Sequence, residues 1–133
     1  MKDIEKTNII IAETMMTERE CEKRLATEVG QLFTHPQPDN LQWQGTKVDL
    51  MEALYVAYVY GTLCDEQGIP LTYRNIVERA CNMFHLSIPR NPYQKAHLGQ
   101  QRMGVRRPPF IVRYQRQLSI QPQSQPFLQL VGH

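Results

Sequence analysis

The chain has 133 residues, room for one domain of ordinary size able to fold around its own core, and a net charge of +2. Its three cysteines, Cys21, Cys64 and Cys81, are too widely spaced for a Cys-x-x-Cys redox site or a zinc knuckle, and their odd number argues against a disulfide framework. The longest early apolar run, Ile9 to Ala12, is too short for a signal-peptide core or a membrane span, so a reduced, soluble, cytoplasmic protein with no membrane partner is expected.

In chain order, residues 1–40 read as a helical arm. Cys21, Leu25, Val29, Leu32 and Phe33 recur at helical spacing, and Thr17 with Glu20 forms a capping-box pattern that starts a helix. Pro36 and Pro38 forbid its continuation and predict a linker over about 34–42. A second helix is predicted at 47–60. Thr46 and Asp49 match another capping box, Leu50, Leu54, Ala57 and Tyr58 line its apolar face, and Gly61 stands where a left-handed cap belongs.

A turn at Cys64–Pro70 precedes a third helix, capped by Leu71 or Thr72, carrying Ile76, Val77, Ala80, Cys81 and Phe84 and ending near His85. After a short loop at Ser87–Pro92, a fourth helix is predicted over Tyr93–Met103, with a thin apolar face of Tyr93, Ala96, Leu98 and, at its end, Met103. Gly99 and Gly104 weaken it, and Pro108 and Pro109 forbid its continuation. Phe110, Ile111, Tyr114 and Leu118 define a final helix starting at Pro109. Residues 119–133, rich in Gln and Pro, read as a flexible tail. No alternating run is long enough to predict a sheet.

The charges divide sharply. Residues 1–78 hold seven basic and thirteen acidic groups, net −6; residues 79–133 hold eight basic and no acidic group, net +8. A segment so polarised attracts polyanions, and nucleic acid is the first partner to consider. Catalytic chemistry lacks convergent groups: His35, His85, His97 and His133 are scattered, and no glycine-rich phosphate loop is present. No enzyme activity, cofactor or metal is expected.

A helix ending near His85, a polar loop and a second, largely solvated helix follow the order of a helix-turn-helix, whose second helix enters the major groove. Loop and helix supply Arg90, Asn91, Gln94, Lys95, Gln101 and Arg102. These types suit DNA, because Arg bonds guanine, Asn and Gln bond adenine, and Lys neutralises phosphate. Arg106, Arg107 and Arg113 extend the basic surface toward phosphate contacts. Trp43 is expected to be a core anchor with its indole N–H bonded to a carbonyl, whereas Lys47, disfavoured in a first helical turn, and Glu52 point to an outside partner.

Leu41-Gln42-Trp43-Gln44-Gly45-Thr46-Lys47, followed by Leu50-Met51-Glu52-Ala53-Leu54-Tyr55-Val56-Ala57, resembles the segment that opens the C-terminal region of the RteC family. Members of that family are regulators associated with conjugative transposons and tetracycline-inducible transfer. The similarity extends through Ile76–Phe84, Tyr93 and the Arg-rich stretch ahead of Phe110, about residues 41–118. It implies a helical domain of winged-helix type and transcriptional regulation of a mobile element. The expectation is therefore an all-α protein, with a helix-turn-helix or winged-helix-like domain at 41–118, that binds double-stranded DNA. The rival is a protein-interaction module in which the arm, through Ile9, Ile10, Met15, Met16 and Leu25, pairs with a second copy or a larger regulatory protein.

Overall fold

The computed structural model describes residues 17–61, 63–101 and 108–132. Its architecture is all-α: five α-helices among the described residues, with one two-stranded sheet. Helix α1 (Glu18–Thr34) opens on a complete capping box. The Thr17 hydroxyl accepts from the Glu20 N–H at 3.1 Å, and the Glu20 carboxylate accepts from the Thr17 N–H at 3.2 Å. Cys21, Leu25, Val29 and Leu32 are buried along one stripe, which packs on α2 (Lys47–Tyr60). Helix α1 is thus part of the core and not an arm: of the residues expected to pair with another copy, Leu25 is fully buried, and Ile9, Ile10, Met15 and Met16 lie outside the described residues.

Helix α2 is the centre of the molecule. Its neighbours are α1, α3 (Tyr73–Met83), α4 (Pro92–Gln100) and α5 (Phe110–Ile120). Residues Asp49–Leu54 are all buried, because a helix surrounded on most sides has no water face to preserve. The Thr46 hydroxyl caps it by accepting from the Asp49 N–H, and Gly61 ends it with φ 63°. The Asp49 carboxylate does not complete the expected capping box; it pairs with Arg113 instead.

The Trp-Gln-Gly-Thr-Lys segment builds the entry to this helix. The Trp43 indole N–H donates to the Thr46 carbonyl at 2.8 Å, and its ring lies against Phe84 and Phe127. A Cβ on Gly45 would stand 2.9 Å from that ring. Lys47 donates to the Ser87 hydroxyl at 2.8 Å, so its partner lies within the chain.

Between α2 and α3, Leu63–Leu71 forms a tight antiparallel turn. Asp65 N–H bonds Ile69 O, Leu71 N–H bonds Leu63 O, and Gly68 takes φ 80°. Thr72 then caps α3 through the Asn75 N–H. At the other end, His85 is left-handed at φ 59°, while Leu86 N–H bonds Cys81 O and His85 N–H bonds Asn82 O. That is the Schellman pattern with histidine in glycine's usual place. Phe84 to Asn91 link α3 to α4, a longer connection than the three- or four-residue turn of a helix-turn-helix, and α4 packs on α2. A wing was expected only from Leu86–Pro92 or Arg102–Pro109; no strand occurs at 86–92 or at 108–109, and 102–107 lie outside the described residues.

The C-terminal segment corrects the expectation of a loose tail. Phe127 is fully buried, a 3₁₀ turn follows at Leu128–Leu130, and β2 (Val131–Gly132) pairs antiparallel with β1 (Gln42–Trp43). Arg24 clamps the approach, donating to the carbonyls of Pro122 and Ser124 at 2.8 and 3.1 Å. The stabilising contacts come from α1 and β1, about a hundred residues earlier, and so have no local trace in the Gln/Pro-rich composition.

Candidate functional site

Three carboxylates, Glu28, Asp49 and Glu52, are buried, and each holds part of the acid-free half. Glu28 Oε1 accepts from the backbone N–H groups of Phe127 and Leu128, both at 3.1 Å, and Oε2 accepts from the Tyr114 hydroxyl. Burial raises the Glu28 carboxyl above the ordinary carboxylate range, opposed by these hydrogen bonds. The Tyr114 phenol is pushed up by burial and by its bond to Glu28. Glu52 Oε2 accepts from the Phe110 N–H at 2.8 Å, capping the start of α5 where Pro109 has no side chain to do so. The expected outside partner for Glu52 is replaced by this internal one.

Arg113 is occupied in the same way. Its Nη2 pairs with Asp49, its Nε donates to the Pro108 carbonyl at 3.2 Å, and its guanidinium lies 5.6 Å from the Phe110 ring centroid. The charge expected to meet DNA phosphate is spent on joining α5 to α2. Arg102, Arg106 and Arg107 lie outside the described residues.

The remaining predicted residues converge on α4. Asn91 caps it, its Oδ1 accepting from the Gln94 N–H at 3.1 Å, and Pro92 occupies the first turn. Ala96 and Gly99 are buried and set α4 close on α2. Gly99 is required there: a Cβ would stand 1.7 Å from Glu52 Oε1. Its cost in helix propensity is therefore repaid by close packing. Opposite this contact, Gln94, Leu98 and Gln101 are exposed, with Leu98 at 56%. Arg90 is exposed just before the helix, and Lys95 is half-buried at its edge. The solvent face of α4 is thus neutral and amide-rich, flanked by cations, where a cation-bearing face was expected. Arg79 and Arg116 are exposed on α3 and α5.

A tyrosine cluster missed in the sequence reading holds α4 in place. Tyr73 is fully buried, its hydroxyl 2.9 Å from Met51 O and 3.3 Å from Pro92 O, with its ring centroid 4.7 Å from Tyr93 and 5.4 Å from Tyr55. Burial pushes the Tyr73 phenol up. The His97 ring lies tilted against Tyr55, with centroids 5.7 Å apart. The spacing of Tyr55, Tyr58, Tyr73 and Tyr93, one or two per helix, was the available signal.

A groove of ≈ 300 Å³ lies beside α2 and α5, walled by Tyr55, Val56, Val59, Ile111 and Val112, with Glu18 and Glu22 also lining it. Among the described residues no group of three or more His, Cys, Asp or Glu is placed to hold a metal ion, and no helix is long and apolar enough to cross a membrane. All three cysteines are free, Cys21 and Cys81 buried and Cys64 exposed. Comparison with known proteins finds no matching family model, no similar curated protein and no similar solved structure.

Proposed function

We propose that the chain is a non-enzymatic DNA-binding protein that presents α4 and the loop before it to the duplex, in the transcriptional control of a mobile element that the RteC resemblance implies. The observation that carries this reading is the solvent face of α4. Gln94 and Gln101 are exposed there, Arg90 and Lys95 flank it, and no carboxylate occurs anywhere after Glu78. Solvated helix faces ordinarily mix signs to form i to i+4 pairs. A face without acids instead leaves nothing to repel phosphate. Arg90 and Lys95 would neutralise phosphates, and the amides would face base edges. The Asn91 carboxamide, having committed Oδ1 to the cap, retains an NH₂ group for a phosphate oxygen.

The test is equilibrium binding of the full chain to random-sequence duplex DNA at low and moderate salt. Affinity should fall steeply with salt, and Arg90→Ala with Lys95→Ala should flatten the log–log slope by about 2 without changing the melting temperature. Absent or salt-insensitive binding overturns the reading. A second reading, a protein-interaction or dimerisation module, is favoured by the apolar groove beside Val59, itself 60% exposed. It predicts self-association or partner binding that survives the Arg90 and Lys95 substitutions.

A further inference from the structure

We infer that α4 reads A·T base pairs, with Gln94 and Gln101 on adenines and Leu98 against a thymine methyl. This rests on the DNA-binding reading above and goes beyond it by naming the sequence class recognised. Gln94, Leu98 and Gln101 stand at i, i+4 and i+7 and are exposed opposite the buried Ala96 and Gly99. Seven residues of helical rise cover about 10 Å, close to three base-pair steps of about 3.4 Å. A helix lying along the major groove would therefore bring these side chains to three or four successive pairs.

The chemistry of the stripe is selective. A glutamine carboxamide matches the N6 donor and N7 acceptor of adenine, whereas guanine is met by Arg or Lys. Neither cation stands on the stripe: Lys95 is half-buried at the packed edge, and Arg90 precedes the helix. Leu98 is 56% exposed while α4 is anchored through Ala96, so the large apolar side chain is not used by the core. The thymine C5-methyl is the apolar feature of the major-groove edge that fits it. His97, the neighbouring exposed residue, is directed to Tyr55.

The experiment recovers duplexes bound by the full chain from a random-sequence pool and then replaces thymine by uracil in the recovered site, which removes the methyl alone. The expected result is enrichment of A·T at three or four adjacent positions and about four-fold weaker binding of the uracil duplex. That difference should vanish in Leu98→Ala, whose melting temperature should match the parent because the side chain is exposed. Replacing adenine by 7-deazaadenine, which removes the N7 acceptor, should weaken binding by about ten-fold. Salt-sensitive binding with G·C enrichment, with no preference, or with indifference to uracil overturns the inference and leaves the DNA-binding reading standing. Absence of salt-sensitive binding overturns both.

Discussion

The two oxygens of Glu28 have different partners: Oε1 serves two backbone N–H groups of the C-terminal segment, and Oε2 serves the Tyr114 hydroxyl. Glutamine keeps the first oxygen, and its NH₂ can donate to the Tyr114 oxygen, whereas alanine strands two buried polar groups and a half-buried one. Glu28→Gln should therefore melt close to the parent, and Glu28→Ala should lose about 3–5 kcal/mol, read by thermal or urea unfolding. The folded-state pKa of Glu28 is raised, so the folded protein holds its proton more tightly than the unfolded chain. The stability linked to that proton is fully present below about pH 4.5, the ordinary value, and is lost as pH rises through the raised one. Melting temperature relative to Glu28→Gln should accordingly fall as pH rises across that window; a difference that grows with pH would contradict it. A signal for this residue stood in the sequence, since Glu28 interrupts the apolar stripe of Leu25, Val29 and Leu32. A carboxylate at such a position needs donors, but nothing local identifies donors a hundred residues away.

At the scale of elements, two helical glycines test how tightly α4 sits on α2. A Cβ at Gly30 in α1 meets nothing within 4 Å, so Gly30→Ala should gain about 0.5–1 kcal/mol from helix propensity alone. A Cβ at Gly99 would overlap the Glu52 side chain, so Gly99→Ala should cost about 1–3 kcal/mol despite the same propensity gain. Equal signs in the two melts would show that α4 is not held against Glu52. Helix positions were largely legible in the sequence because caps and stops act within a few residues: Thr17, Thr46 and Thr72 each cap the helix that follows, and Gly61 ends α2; the cap supplied by Asn91 was missed. The turn at Cys64–Pro70 was legible as well, from its Asp-Glu-Gln-Gly stretch, whereas the end of α4 at Gln100 and the pairing of β1 with β2 were not. Short pairings of this kind are set by long-range packing, not by alternation along the chain.

For the molecule as a whole, the division into an acidic and an acid-free half has two uses. Part of it is internal: Glu28, Asp49 and Glu52, all from the first half, hold Tyr114, Arg113 and the Phe110 N–H from the second. Arg113 was placed on the wrong side of that division because a sequence shows charge and not its partner. Among the described residues the cations left to solvent around α4 are Arg90 and, at its edge, Lys95, beside an amide face. Gln94 and Gln101 were legible as candidates because helical periodicity exposes them together once Ala96 is buried, whereas Leu98, read as part of the apolar face with Ala96, is exposed instead. Trp43, Gly45, Thr46, Leu50, Glu52 and Leu54, the residues on which the proposed RteC kinship rests, form the entry to α2 or pack it against its neighbours, so their roles bear on fold before function. The use of the surface is settled most directly by backbone amide chemical shifts of the full chain titrated with duplex DNA at low salt. Perturbations should concentrate on Arg90–Gln101 and disappear as salt rises; no perturbation, or one centred on Glu18, Glu22 and Val59 around the groove, would contradict DNA binding through α4.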